Sequence, residues 1–257
     1  MAQVVLTPAA GKRLIAKAIA IATHPDVQSA LNSGIVVIVA GTTNGYVAEA
    51  ILALIEQPNG FNRKCFYRGI ILPPAQLISE IGRWTDENEF PGDVVIAQGK
   101  WLKGKTIYDV IDDLKQGDVI LKGANAIDVL GKRAAVLIGH PEGGTVITAL
   151  KAVVGKRVRL IIPVGLEKRV FGNLDEIVTR INALESSGPR IMTFPGEVFT
   201  EIDAITLLSG ATCDLVASGG VGGAEGAIWL NISGDVEKMD QIMDIINSII
   251  NEPPFEL

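Results

Sequence analysis

The sequence predicts an α/β fold in which a mostly parallel sheet is flanked by helices, followed by a small ferredoxin-like α+β domain. Apolar, β-branched runs alternate with segments of helical periodicity over residues 1–188. Aromatic residues make up only 5% of the chain, which favours α/β layers over an all-β sandwich. Beyond the candidate linker ESSGP (185–189) the pattern changes to β-α-β-β-α. We therefore predict two domains, 1–188 and 189–257.

The first elements are a helix pair and a buried strand. Thr7-Pro8 is typical of an N-cap followed by a first-turn proline, and His24-Pro25 ends the helix that follows. A shorter helix is predicted through 26–32. The apolar run IVVIVA (35–40) predicts a strand buried on both faces, and a helix is expected over about 46–56.

The middle of the chain continues this alternation. Strands are predicted in CFYRGIIL (65–72), DVVIAQG (93–99), AAVLIG (134–139) and RVRLIIPVG (157–165). The segment DVILKGANAID (118–128) is predicted to be a strand that runs into a turn of small residues. Helices are predicted in QLISEIG (76–82), in the second half of 101–117 and in 143–156.

The last segment combines short strands with two helices. RIMTFP, TCDLVASGG and AIWLNIS predict strands, and VFTEIDAITLLSG predicts a helix. The final helix is indicated by one apolar stripe, formed by Val236, Met239, Met243, Ile246 and Ile250.

Composition excludes several classes of partner. A formal charge of −6 argues against broad nucleic-acid binding, which needs a basic face. No apolar run reaches the ~18 residues of a membrane-spanning helix, and the N-terminus lacks the pattern of a signal peptide. Cys65 and Cys213 are far apart and form no metal pattern. We expect a cytoplasmic homo-oligomer without a metal or cofactor.

The junction Gly41-Thr42-Thr43-Asn44 lies between a predicted buried strand and a helix. Free N–H groups at a helix start attract anions, and the two threonines add hydroxyls. Ordinary turns between a strand and a helix use the same residues as caps, so the junction is either a phosphate site or a simple turn.

Two further segments are expected at the same sheet edge, because ligands gather at the carboxyl ends of parallel strands. One contains Gly123, Asn125 and Asp128. The other, 140–145, contains the anion-receptive Gly143, Gly144 and Thr145, with Glu142 and its rival His140 as candidates for proton transfer. Glu142 could equally be a solvated loop residue, and His140 could be structural.

These motifs, in this order, resemble the NagB/RpiA/CoA-transferase-like superfamily. SGIVVIVAGTTNGYVAEAIL resembles the phosphate loop of DeoR-type sensor domains, and KGANAID resembles the Gly-Ala segments of those sensors and of ribose-5-phosphate and methylthioribose-1-phosphate isomerases. GLEKRVFG resembles the loop whose lysine closes the phosphate site, here Lys168. The resemblance covers about residues 10–172. It implies a Rossmann-like sheet and a phosphate site.

The sequence departs from the isomerases at the catalytic positions. Lys122 and Asn125 stand where ribose-5-phosphate isomerase has acidic residues, and an amide cannot take a proton from a sugar carbon. The phosphate-binding part of the resemblance therefore carries over better than the catalytic part.

The loop ASGGVGGAEGA (217–227) has more glycine than a hairpin requires. It is a candidate lid through Gly220, Gly222, Gly223 and Glu225, or a flexible connection at a subunit interface.

Three functions follow from these patterns. The first is an enzyme that binds a small phosphorylated, sugar-like metabolite and transforms it by isomerase-type proton transfer, with Asp128 and Asn125 orienting hydroxyls. The second is a non-catalytic regulatory module that binds such a metabolite. The third is an assembly protein whose glycine loops serve subunit packing.

Overall fold

The structure, a computed structural model, describes residues 1–20, 24–72 and 90–255. In these ranges the helices are α1 Pro8–Ala20, α2 Pro25–Ser33, α3 Thr42–Leu54, α4 Ile107–Val110, α5 Gly144–Lys156, α6 Leu174–Ile181, α7 Glu201–Ser209 and α8 Val236–Ile249. The strands are β1 Ala2–Leu6, β2 Ile35–Ile38, β3 Val94–Ala97, β4 Lys100–Trp101, β5 Val119–Leu121, β6 Ala126–Asp128, β7 Arg133–Ile138, β8 Arg159–Pro163, β9 Arg190–Phe194, β10 Glu197–Phe199, β11 Thr212–Ser218 and β12 Ile228–Ser233.

A six-stranded sheet in the order β10-β8-β5-β2-β3-β4 forms the centre of the molecule. Strands β10, β8, β5 and β2 pair in parallel, whereas β3 and β4 add an antiparallel edge. Val37 of β2 lies opposite Ile120 on one side and Val95 on the other. The predicted α/β class with a mostly parallel sheet is confirmed.

Two smaller antiparallel sheets complete the fold. The first has the order β6-β7-β9 and holds the strand predicted at 134–139. The second has the order β1-β12-β11 and carries α7 and α8 beside it.

The predicted boundary at 188/189 does not separate two sheets. Strand β10, from the C-terminal segment, pairs with β8 of the large sheet, and β9 pairs with β7. Strand β1, from the N-terminal segment, pairs with β12. One apolar core includes residues of both segments, from Leu6 and Leu14 to Ile232 and Ile246. The strand predicted at 190–195 is β9, and it pairs with β7 instead of joining β11 and β12 in one sheet. The edge of β12 that faces away from β11 is paired with β1.

Two local predictions were wrong and one lies outside the described residues. Helix α3 begins at Thr42, four residues before the predicted start, so that Gly41 is the N-cap and Thr42, Thr43 and Asn44 form the first turn. Residues 65–72 contain no strand; the chain there follows a 3₁₀ turn at Arg63–Cys65, and β3 takes the place beside β2. The helix predicted over 76–82 lies outside the described ranges.

The core positions the carboxyl ends of the central strands. Val36, Val37 and Ile38 of β2 are fully buried, as expected for a continuous β-branched run. Helix α1 packs against α3 and α7. Within the described ranges, no helix combines the length and the apolar character needed to cross a bilayer.

Candidate functional site

A cavity of about 650 Å³ opens at the carboxyl ends of β2 and β5. The three glycine-rich segments that the sequence analysis places at one sheet edge all line it. The predicted residues that line it are Gly41, Thr42, Thr43, Asn44, Gly123, Asn125, His140, Gly143, Gly144, Thr145 and Lys168. The size lies within the range of ~300–1,000 Å³ that is typical of small-molecule sites.

The first turn of α3 forms one wall of the cavity. Gly41 has an extended backbone as the N-cap, and no side chain of the described residues caps this helix end. Thr43 is only 2% exposed, and its Oγ1 has no hydrogen-bond partner among the described residues. A buried hydroxyl normally has a hydrogen-bond partner. Because Thr43 Oγ1 has none among the described residues and lies beside the free amides of the helix start, we expect a ligand to form this hydrogen bond. The helix dipole makes an anion the best such ligand.

Asn44 lines the cavity, and its two side-chain atoms differ in what they can offer a ligand. Its Nδ2 donates to the carbonyl oxygens of Val39 (2.7 Å) and Leu121 (3.0 Å). The side chain is fully buried and joins the ends of β2 and β5 beneath the cavity. The Nδ2 bonds hold the first turn of α3 against the sheet, whereas Oδ1 is buried without a partner among the described residues and stays available for the predicted ligand contact.

The N-terminus of α5 forms a second wall. Gly143 and Gly144 both have left-handed backbones, with φ of 78° and 58°. A Cβ on Gly143 would overlap Cγ1 of Ile147, so this turn requires glycine. Within the described ranges, this helix end has no capping side chain either. The Thr145 hydroxyl accepts a hydrogen bond from Nζ of Lys122 at 3.0 Å.

Four cationic side chains reach the cavity, and no described residue that lines it is a carboxylate. The cations are Lys12, Arg68, Lys122 and Lys168. Nη1 of Arg68 lies 3.0 Å from Oδ1 of the fully buried Asp93. The Arg68 Nε is buried without a partner in the described part of the chain. A protein with a formal charge of −6 thus concentrates positive charge at one site.

Burial affects both lysines that follow the central strands. Desolvation lowers the pKa of Lys122 to about 8; Asp93 opposes the shift and Arg68 adds to it. Desolvation also lowers the pKa of Lys168, whose Nζ donates to the Ala124 carbonyl at 2.8 Å. An anion beside either amine would favour its charged form.

Asn125 differs from its predicted role. Its Nδ2 donates to the Gly69 carbonyl at 2.9 Å, and its Oδ1 accepts from the Leu137 amide at 3.0 Å. The side chain therefore links the segment that carries Arg68 to β7. Its nitrogen and its oxygen both already form hydrogen bonds with the main chain, so neither is left free to orient a substrate hydroxyl.

Of the three residues predicted to be catalytic, only His140 lines the cavity. Asp128 accepts from the Gly131 amide at 2.9 Å and closes the turn between β6 and β7. Glu142 is exposed and does not line the cavity, and its amide donates to Nδ1 of His140 at 3.1 Å. The strand-end geometry brings the backbone of this segment to the site but not the Glu142 carboxylate.

The glycine-rich loop 217–227 does not line the cavity. Glu225 accepts from the Gly223 amide within the same loop at 2.9 Å. Gly226 lies beside Pro8 at the start of α1. The structure therefore does not place Gly220, Gly222, Gly223 or Glu225 as a lid over this site.

Sequence reasoning did not assign Lys12, Arg68 or Lys122 to the site. Arg68 lies in the mostly apolar segment 65–72, which predicts a strand and gives no sign of a ligand site. Lys12 lies in an amphipathic helix, where a lysine is usually a solvent-exposed residue without a function. Lys122 gave the clearest signal, because a lysine directly after a buried strand is expected at the carboxyl edge of the sheet.

One cluster of possible metal ligands lies elsewhere. His24, Asp26 and Glu197 place their ligand atoms within 4.8 Å of one another. Arg159 contacts both carboxylates, at 3.1 Å from Asp26 and 2.7 Å from Glu197. The guanidinium already supplies positive charge to this cluster, which we therefore interpret as an ion-pair network.

Comparison with protein-family models, curated proteins and solved structures finds no match to this chain. Proposals about its function therefore depend on the geometry of the cavity and on the motifs that line it.

Proposed function

We propose that the cavity binds a small phosphorylated, sugar-like metabolite, with its phosphoryl group at the first turn of α3. The observation that carries this proposal is the meeting of two uncapped helix N-termini and four cationic side chains around one cavity. Phosphate is the common metabolite group that uses several N–H donors and cations at once.

The size of the cavity supports a ligand larger than a free phosphate ion. About 650 Å³ leaves room for a sugar-sized body beside the phosphoryl group. Val136, Leu137 and Ile138 of β7 supply an apolar wall for that body. The motif resemblance supports the same assignment, since Gly41-Thr42-Thr43 and Lys168 match the phosphate-binding positions of the NagB/RpiA-like group with its Rossmann-like sheet.

Two versions of this function differ in chemistry. Isomerase-type proton transfer needs a base beside the bound sugar, and His140 is the predicted proton-transfer residue that lines the cavity. A non-catalytic regulatory module needs only binding, and the lack of a carboxylate among the described lining residues favours it. We therefore propose metabolite binding as the function, with proton transfer through His140 as the second candidate.

Thermal unfolding tests the binding. A ligand that binds only the folded state stabilises it by RT ln(1 + [L]/Kd). We expect ribose 5-phosphate and inorganic phosphate to raise the melting temperature, and ribose or potassium chloride at matched ionic strength to leave it unchanged. Equal shifts from ribose or chloride would contradict the proposal.

Turnover separates the two versions. Conversion of ribose 5-phosphate and glucosamine 6-phosphate is followed by NMR with the wild-type protein and with His140→Gln. Conversion that is lost in this variant while phosphate binding persists supports proton transfer. Binding without conversion of any phosphosugar supports the regulatory module.

A further inference from the structure

We propose that Lys122 forms an imine with the carbonyl carbon of a phosphorylated aldehyde or ketone held in the cavity. This proposal rests on the proposed function and narrows its ligand to open-chain carbonyl compounds that carry a phosphoryl group. Lys122 lines the cavity and is buried, its side-chain amine is a nucleophile, and the neighbouring Thr145 hydroxyl can transfer protons.

The position of Lys122 brings its amine to the ligand. The residue directly follows β5, at the carboxyl edge of the central sheet. The side chain lines the cavity although the residue is only 7% exposed. Anions at the N-termini of α3 and α5 would lie on walls of the same cavity, so a carbonyl group a few bonds from a phosphoryl group can reach the amine.

The surroundings of Lys122 do not commit its amine to an ion pair. Among the described residues no carboxylate lies within 4 Å of its Nζ, and the nearest relevant one, Asp93, is bound by Arg68. In the ligand-free protein, burial lowers the Lys122 pKa to about 8, which increases the share of free amine at neutral pH a few hundred-fold over an ordinary lysine. A phosphoryl group close to the amine would reduce this share, so the proposal requires the phosphoryl group at α3 and the carbonyl group at Lys122. Only the unprotonated amine attacks a carbonyl carbon.

The Thr145 hydroxyl distinguishes Lys122 from the other lysines of the site. A hydroxyl both accepts and donates a proton, whereas the Ala124 carbonyl that holds Lys168 only accepts. In the proposed step, Nζ forms a bond to the carbonyl carbon and passes a proton through Thr145 Oγ1 to the resulting oxygen. The second proton of Nζ then reaches the carbinolamine hydroxyl by the same route, the C–O bond breaks, water leaves and the C=N bond forms. Amine and carbonyl thus give imine and water, without an oxidant or reductant.

Reductive trapping tests the proposal. The full chain is incubated with pyridoxal 5′-phosphate, a phosphorylated aldehyde, and sodium cyanoborohydride, and the reduced adduct is located by peptide mass spectrometry. We expect an adduct on Lys122 that forms at least 10-fold faster than adducts on the exposed Lys100, Lys103 and Lys115. Excess inorganic phosphate should slow it, and pyridoxal, which lacks the phosphoryl group, should react with Lys122 no faster than with surface lysines.

Matched variants separate the nucleophile from the charge. Lys122→Arg keeps a cation and should lose the adduct, Lys115→Arg, at an exposed position outside the cavity, should keep it, and Thr145→Val should slow it. Mapping in the wild-type protein gives the result even if a variant fails to fold. An adduct on Lys12 or Lys168 instead of Lys122, or one that ignores the phosphoryl group, would overturn the proposal.

The outcomes also separate this proposal from the proposed function. If phosphate raises the melting temperature and no Lys122 adduct forms, the imine is wrong and the phosphate site stands. If phosphate neither stabilises the protein nor competes, and no adduct forms, both proposals fail.

Discussion

The side-chain amide of Asn44 lies 3.0 Å from the carbonyl oxygen of Leu121 and 2.7 Å from that of Val39, which links α3 to two central strands. Asn44→Ala removes both hydrogen bonds inside the core. We expect a loss of about 1–3 kcal/mol in the free energy of unfolding, measured by urea denaturation. Asn247→Ala, at an exposed position of α8, is the control and should leave stability unchanged or slightly raised. A similar stability for both variants would show that the Asn44 bonds contribute little.

Thr43→Val tests the α3 wall of the phosphate site. The Thr43 Oγ1 is buried and has no partner in the part of the chain that the structure describes, so its removal should not reduce the stability of the ligand-free protein. The affinity for inorganic phosphate, measured by calorimetry, should fall ~10-fold, because a hydrogen bond to a charged group contributes ~1.5 kcal/mol or more. Thr179→Val on α6 should bind phosphate as the wild type does. Unchanged binding in Thr43→Val would remove this hydroxyl from the site.

Gly143→Ala and Gly155→Ala form a matched pair on α5. At Gly143 the left-handed backbone and the overlap with Ile147 should cost ~1–2 kcal/mol or more. At Gly155 a Cβ meets nothing within 4 Å, and alanine should stabilise the helix by ~0.5–1 kcal/mol. Urea denaturation measures both changes. Opposite signs are expected, and destabilisation of similar size in both would contradict the geometry at Gly143.

Glu201 is expected to make stability depend on pH. Its burial, assisted by the Glu167 charge, raises the pKa of Glu201 to about 8, while the Leu166 amide and Lys12 act in the opposite direction. The folded state then holds a proton that the unfolded state releases above an ordinary pKa of ~4.3. Its contribution is therefore complete below that pH and is lost as the pH rises towards about 8.

Glu201→Gln stays neutral throughout this window. Relative to the wild type, the variant should gain stability between pH 5 and pH 8, as followed by urea midpoints at several pH values. Glu237→Gln, exposed at the start of α8, should retain the wild-type profile. Parallel profiles for wild type and Glu201→Gln would show that Glu201 does not hold a proton in the folded state.

Glu225→Ala tests the position of the glycine-rich loop. Glu225 bonds only within its own loop among the described contacts, and the loop does not line the cavity. Phosphate affinity should therefore stay within ~2-fold of the wild type, since no ligand contact is removed. A large loss of affinity would restore the loop to the site as a lid.

The sequence indicated the central strands and the place of the site for clear physical reasons. The run 35–40 is apolar and β-branched without interruption, a pattern that few structures other than a doubly buried strand satisfy. Turns that follow parallel strands share one sheet edge, and so the segments at 41–44 and 122–125 could be expected to meet. The segment at 143–145 also lines the cavity, but it follows β7 of a smaller antiparallel sheet, so the expectation that its strand belongs to the same sheet was wrong.

The roles of individual side chains were less accessible. Asn44 and Asn125 look like ligand contacts in a one-dimensional motif, but the Nδ2 atoms of both side chains donate to main-chain carbonyls. Arg68 depends on Asp93, which lies 25 residues further along the chain, directly before β3. Such pairings join residues that are far apart in the sequence and meet only in the folded chain. The local periodicity of the sequence therefore does not predict them.

The pairing of β1 with β12 has a consequence for how the chain folds during its synthesis. Residues 2–6 are synthesised well before their hydrogen-bonding partners at 228–232, which lie more than 220 residues further along the chain. Contacts of such high sequence separation slow folding. The backbone of β1 stays without its partner strand, and its apolar side chains stay exposed, until β12 has been synthesised. Nascent chains that stall before residue 228 should therefore expose a strand edge that attracts chaperones or other nascent chains.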